Sequence, residues 1–134
     1  MILSKGFEAF IDDYCFTDST VIEVKWDNNL LDLLVVFDYF WDIHQGKKES
    51  RKLTVRFQNC MRANFNMPNV FEKTPQKFKN MSQDELSPYI YGWYTITHYY
   101  AEMNNGLIDV SFRTVDENPQ WLVIKCEEIW VEIK

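Results

Sequence analysis

The sequence predicts a mostly β protein, α+β with a minor helical share. The expected form is a single antiparallel sheet or partly closed barrel of about six strands in hairpin order, with a short N-terminal helix. Two observations lead there. Aromatic residues make up 16% of the 134 positions and sit mostly in β-branched or alternating stretches, which suit a pleated sheet better than a helix. Between these stretches lie Asn, Asp and Gly turn signals, of which Asn104-Asn105-Gly106 is the clearest, because a tight hairpin needs left-handed backbone that these residues tolerate.

Near the N-terminus, Phe7, Phe10, Ile11 and Tyr14 recur at helical spacing and predict one short amphipathic helix packed on the sheet. Thr20, Ile22, Val24 and Trp26 then alternate with Val21, Glu23, Lys25 and Asp27, which predicts a half-buried strand with its even positions inward. Asp27-Asn28-Asn29 turns the chain into a strand expected over 30–43. Its odd residues, Leu31 to Ile43, form one apolar face, and the other face carries Asp32, Leu34, Val36, Asp38, Phe40, Asp42 and His44. A polar loop, Gln45 to Ser50, leads to a third strand with Leu53, Val55 and Phe57 in phase.

From Met61 to Ser87 the pattern dissolves, and residues 61–87 are expected to be a long irregular insertion or crossover. Within it Ser82-Gln83-Asp84-Glu85 has the form of a helix cap, with Pro88 expected to stop whatever starts there. Tyr89 to Met103 and a segment with Ile108, Val110 and Phe112 in phase flank the Asn-Asn-Gly turn as strands, the latter closed by Asp116-Glu117-Asn118-Pro119. In the last segment Leu122, Ile124 and Cys126 share one phase and Ile129, Val131 and Ile133 the opposite one. A bulge near Glu127-Glu128 would return both sets to one face.

The length fits one domain over residues 1–134. The most apolar window is cut by Asp32, Asp38 and Asp42, so no membrane span is expected, and the acidic residues that follow the N-terminus so soon argue against a signal peptide and for a cytoplasmic protein. A formal charge of −6 opposes binding to a nucleic acid backbone and favours a basic protein partner. Cys15, Cys60 and Cys126 are odd in number and lack ligand spacing, so they read as free thiols, with no disulfide framework, metal site or cofactor expected. Oligomeric state is left open.

The sharpest catalytic candidates are Asp38, Asp42 and His44, on one face of the expected strand. Strand rise would put Asp38 and Asp42 roughly 13 Å apart, too far for a tight acid/base pair, so they read as solvent-side residues with Lys25, Lys52 and Arg56 as cross-strand partners. His98 has no adjacent acid, no hydroxyl lies in a GxSxG setting, and the four glycines form no phosphate loop, so the sequence points away from an enzyme. The aromatic series Tyr89, Tyr91, Trp93, Tyr99 and Tyr100, with Phe40 and Trp41, has two uses, as core or as an interface. On the interface reading, Asp32, Asp38, Phe40, Asp42 and Trp93 form an acidic, aromatic docking face. A second reading is a carrier whose curved sheet closes around a small apolar ligand. A hydrolase using Asp38, Asp42 or His44 is the third.

The runs Asp18 to Val24, Leu33 to Tyr39 and Arg51 to Cys60, with "DS" ahead of the first strand and the "F-x-N-C" ending Phe57-Gln58-Asn59-Cys60, resemble small uncharacterised bacterial proteins grouped with the immunity proteins of polymorphic toxin systems. The resemblance implies a cytoplasmic, non-enzymatic inhibitor that occludes the surface of a toxin, with a basic toxin domain as its partner.

Overall fold

The computed structural model describes residues 1–66, 79–114 and 120–133, the side chains of residues 87–92 apart. In chain order the elements are β1 (Ile2–Lys5), α1 (Phe7–Asp12), β2 (Thr20–Asp27), β3 (Asp32–Asp38), α2 (Trp41–His44), β4 (Lys52–Gln58), β5 (Arg62–Phe65), α3 (Gln83–Tyr94), β6 (Ile96–Asn104), β7 (Leu107–Thr114), β8 (Leu122–Cys126) and β9 (Glu128–Ile133). The strands form a five-stranded sheet in the order β1-β9-β4-β3-β2 and a four-stranded sheet in the order β5-β8-β7-β6, with every pairing antiparallel.

The mostly β fold with a minor helical share is the one that forms. The single sheet of about six strands is corrected to two open sheets, because alternation reveals that a strand has a buried face but not which sheet it joins. The sheets share one core. Phe37 of β3 and Phe57 of β4 meet Phe112 of β7 with ring centroids 5.7 and 6.2 Å apart. Phe10 of α1 stacks on Phe16 at 5.6 Å and roofs this cluster with Phe7 packed beside it, whereas Ile11 of the expected apolar face is exposed and Tyr14, which packs on the core, lies past the end of the helix. Each such ring contributes about 2–3 kcal/mol of burial.

Four local expectations are corrected. In β2 the register shifts between Val21 and Glu23, so Val21 points into the core and Ile22 is 50% exposed. That bulge inserts one residue and reverses the predicted even face for the first part of the strand. The strand expected over 30–43 is only β3. Its central place, with β2 and β4 on either side, explains the unbroken burial from Asp32 to Phe37. At Tyr39 the chain leaves the sheet and winds into α2, so Asp42 and His44 do not share a strand face with Asp38. The expected insertion over 61–87 contains β5, and residues 67–78 lie outside the described residues.

The helix at Ser82 forms as a full capping box: Glu85 N–H donates to Ser82 Oγ and Ser82 N–H donates to Glu85 Oε1, both at 3.3 Å. Contrary to expectation, its backbone runs past Pro88 to Tyr94, and the following strand starts at Ile96 rather than Tyr89. Pro88 forfeits one backbone donor, while contacts of the helix with β2 and β7 supply tertiary support. The turn expected at Asp116-Glu117-Asn118-Pro119 lies outside the described residues.

The phase reversal in the last segment has a different origin from a bulge within one strand. Glu127 is a corner at which the chain leaves the four-stranded sheet as β8 and enters the five-stranded sheet as β9, with its N–H held by Gln58 O at 2.9 Å. Leu122, Ile124 and Cys126 on one side and Ile129 and Val131 on the other thereby enter the same core.

Candidate functional site

One end of the two sheets collects the β2–β3 turn, the β4–β5 connection, the β6–β7 turn and the β8–β9 corner, as the pairings Leu33 with Phe57, Gln58 with Glu128 and Ile108 with Cys126 require. This end also collects left-handed backbone. Asn28, Asn29, Leu30, Asn59 and Asn105 all have φ between 48° and 71°. Asparagine adopts that region readily, but for a leucine it costs about 1–2 kcal/mol. Leu30, at φ 71°, is also 71% exposed, so the strained side chain is presented to solvent rather than packed. Leu31 beside it and Met61 across the end are exposed as well. The two connections are joined by Cys60 N–H donating to Leu31 O at 2.7 Å.

A buried carboxylate holds this apolar tip in place. Asp32 Oδ1 accepts from Asn59 N–H at 3.1 Å and Oδ2 accepts from Asn28 Nδ2 at 2.6 Å, so one side chain fixes both left-handed turns. Arg56 Nη1 donates to Asp32 Oδ2 at 2.9 Å and to Asp27 Oδ2 at 3.0 Å, while its Nε donates to Glu132 Oε1 at 2.7 Å. One guanidinium thus faces three carboxylates, which leaves the network net acidic. Its ordinary pKa is raised further, first by Glu132. The backbone N–H of Asn28 and then Arg56 hold the Asp27 carboxyl below its usual range. On the outer face of the sheet this network borders a groove of about 400 Å³ with Lys25, Trp26, Leu34 and Thr54 among its walls.

The residues singled out from sequence do not form one exposed face. Asp32 and Trp93 are buried, Asp42 has no exposed side-chain surface, Asp38 is half-buried, and Phe40 is partly exposed beside α2. Asp42 accepts from Arg51 N–H, Nε and Nη2 at 2.8, 2.9 and 3.0 Å, and Lys47 Nζ stands 3.3 Å away. Burial pushes this carboxyl up, but the Arg51 donors outweigh it and leave it below its usual range. Asp38 is bonded to the Ser50 hydroxyl and paired with Lys52 at 3.1 Å. His44 packs on Trp41 with ring centroids 4.6 Å apart. Asp42 and Asp38 thus anchor the 45–51 loop, through Lys47, Arg51 and Ser50.

The cross-strand partners Lys52 and Arg56 were legible, as Asp38 with Lys52 shows, whereas Lys25 pairs with Glu23 at 3.7 Å on its own strand. Sequence reasoning missed the tip itself. The Asp-Asn-Asn signal marked the turn, but Leu30 and Leu31 carry strand propensity, and no pattern announces a leucine with positive φ. The thiols Cys15 and Cys60 are half-buried and Cys126 is buried, and all three are free. Among the described residues no group of three or more His, Cys, Asp and Glu side chains could hold a metal ion, and no helix is long and apolar enough to cross a membrane.

No family model and no curated protein matches the chain. Its fold is similar to the crystal structure of an uncharacterized protein from Neisseria gonorrhoeae, with a TM-score of 0.57 at 12% identity, over 90% of this chain and 95% of that one.

Proposed function

We propose that the protein is a non-enzymatic binding protein, of the immunity type its sequence resembles, that docks a basic protein partner on the end built by the β2–β3 turn, Asn59 to Met61 and Glu127. The observation that carries this reading is Leu30: a leucine 71% exposed, in left-handed backbone within a turn that the buried Asp32 carboxylate braces through Asn28, adds little to the isolated fold. Strain of this kind is kept where a partner uses it. Leu30, Leu31 and Met61 supply an apolar centre, and Asp27 and Glu127 supply an acidic rim, the arrangement of a protein interface. The surplus carboxylates around Arg56 add to the chain's net charge of −6 and would steer a basic domain toward this end. A toxin domain that acts on nucleic acid has that charge, and occupying its surface would inhibit it.

Affinity capture from lysate of the expressing cells, with wild type beside Leu31→Asp, tests the reading. One basic protein should be retained stoichiometrically by wild type, resist elution less as salt rises, and be lost from Leu31→Asp. Equal capture by both forms would refute the assigned surface.

A further inference from the structure

Strand β6 ends the four-stranded sheet, and at nine residues it is the longest edge strand among the described residues. Among the described residues only its start is covered: Ile96 exchanges backbone hydrogen bonds with Asp18 and Ser19, at 2.7 and 2.9 Å. From Thr97 to Asn104 its sequence, Thr-His-Tyr-Tyr-Ala-Glu-Met-Asn, carries no Lys and no Pro, residues with which proteins ordinarily blunt an edge.

The hairpin turn fixes which backbone groups are offered. Asn105 and Gly106 both have positive φ, so Asn104 and Leu107 close a two-residue turn as a hydrogen-bonded pair. Bonded and non-bonded pairs alternate along an antiparallel ladder, so Glu102 and Tyr100 are bonded to β7, while Met103, Ala101 and Tyr99 turn their N–H and C=O groups outward. The side chains alternate the other way. Tyr99 and Ala101 pack against the core, and His98, Tyr100 and Glu102 are exposed, Tyr100 by 60%.

We infer that β6 pairs with β6 of a second copy, antiparallel about a two-fold axis at Tyr100, to join two four-stranded sheets into one. In that register Tyr99 exchanges N–H···O bonds with Ala101 of the second copy, and Ala101 with Tyr99, so the outward groups of Tyr99 and Ala101 are satisfied on both edges. The exposed face is self-complementary. Tyr100 meets Tyr100 of the second copy, and His98 stands opposite Glu102 twice, a donor and an acceptor in each non-bonded pair, where side chains approach most closely. This is the isologous arrangement that closes a dimer and leaves no free β6 edge. The end that carries Leu30 is not part of it.

Sedimentation equilibrium of the full chain is the test, with circular dichroism as the control for folding. Wild type should be a dimer. Ala101→Pro, which removes an outward N–H and no bond to β7, should sediment as a folded monomer. His98→Glu should raise the dimer Kd at least about tenfold, and His98→Glu with Glu102→His should restore it. A wild type that stays monomeric at about 100 μM, or a dimer whose Kd ignores both His98→Glu and the double exchange, overturns the inference. If Ala101→Pro fails to fold, the His98 and Glu102 exchange still decides.

Discussion

Arg56 Nη1 lies 2.9 Å from Oδ2 of Asp32, a carboxylate only 3% exposed, and the two oxygens of Asp32 go on to anchor Asn28 and Asn59 in separate turns. A sheet-face ion pair is therefore also the brace of the tip formed by Leu30, Leu31 and Met61. Asp32→Ala leaves a partly buried guanidinium short of a partner and the Asn59 N–H unsatisfied, and is expected to cost about 3 kcal/mol in urea unfolding. Asp27→Ala touches the same guanidinium from solvent and should leave the unfolding midpoint nearly unchanged.

Asp42 gives the acid side of the stability curve. Its folded pKa lies below the ordinary 3.8, because the Arg51 bonds outweigh desolvation, so the unfolded state takes up its proton first. The contribution is complete above pH 3.8 and is lost as pH falls through the lower folded value. Asp42→Asn should flatten that part of the pH dependence and lower stability at neutral pH by about 2–3 kcal/mol, measured by urea unfolding across the acid range.

Leu30 separates stability from binding. Leu30→Asn relieves the left-handed strain and removes an exposed apolar side chain, so it should raise unfolding free energy by about 1 kcal/mol. It should weaken partner capture at the same time. A loss of stability instead would show that Leu30 is held by packing.

Cys126 should be silent to thiol reagents in the native protein. Burial pushes its pKa up to about 12, whereas Cys15 and Cys60 are only half-buried. Titration with a disulfide reagent at pH 8 should label Cys126 only as fast as the protein unfolds.

The pairings between neighbours in sequence were legible. Asp27-Asn28-Asn29 and Asn105-Gly106 each join antiparallel strands as predicted, β3 and β4 pair antiparallel although the 45–50 loop between them follows helix α2 rather than a strand, and Phe7, Phe10 and Ile11 mark α1. The partition into two sheets was not, because the phase reversal at Glu127 reads alike for a bulge and for a corner. The candidate site was less legible. Asp32, Asp38 and Asp42 look equivalent as acidic residues in an apolar run, yet one braces two turns, one pairs with Lys52 and one is enclosed by Arg51. Partners 4 to 27 residues away decide those roles. Positive φ at Leu30 left no trace in composition or periodicity.

The most direct test of the docking account is quantitative capture from lysate by three forms of the protein: wild type, Leu31→Asp and Lys52→Ala, the last removing an exposed cation that pairs with Asp38 away from the tip. The account expects one basic protein bound equally by wild type and Lys52→Ala and at least about tenfold less by Leu31→Asp. Retention by Leu31→Asp at the wild-type level would contradict it.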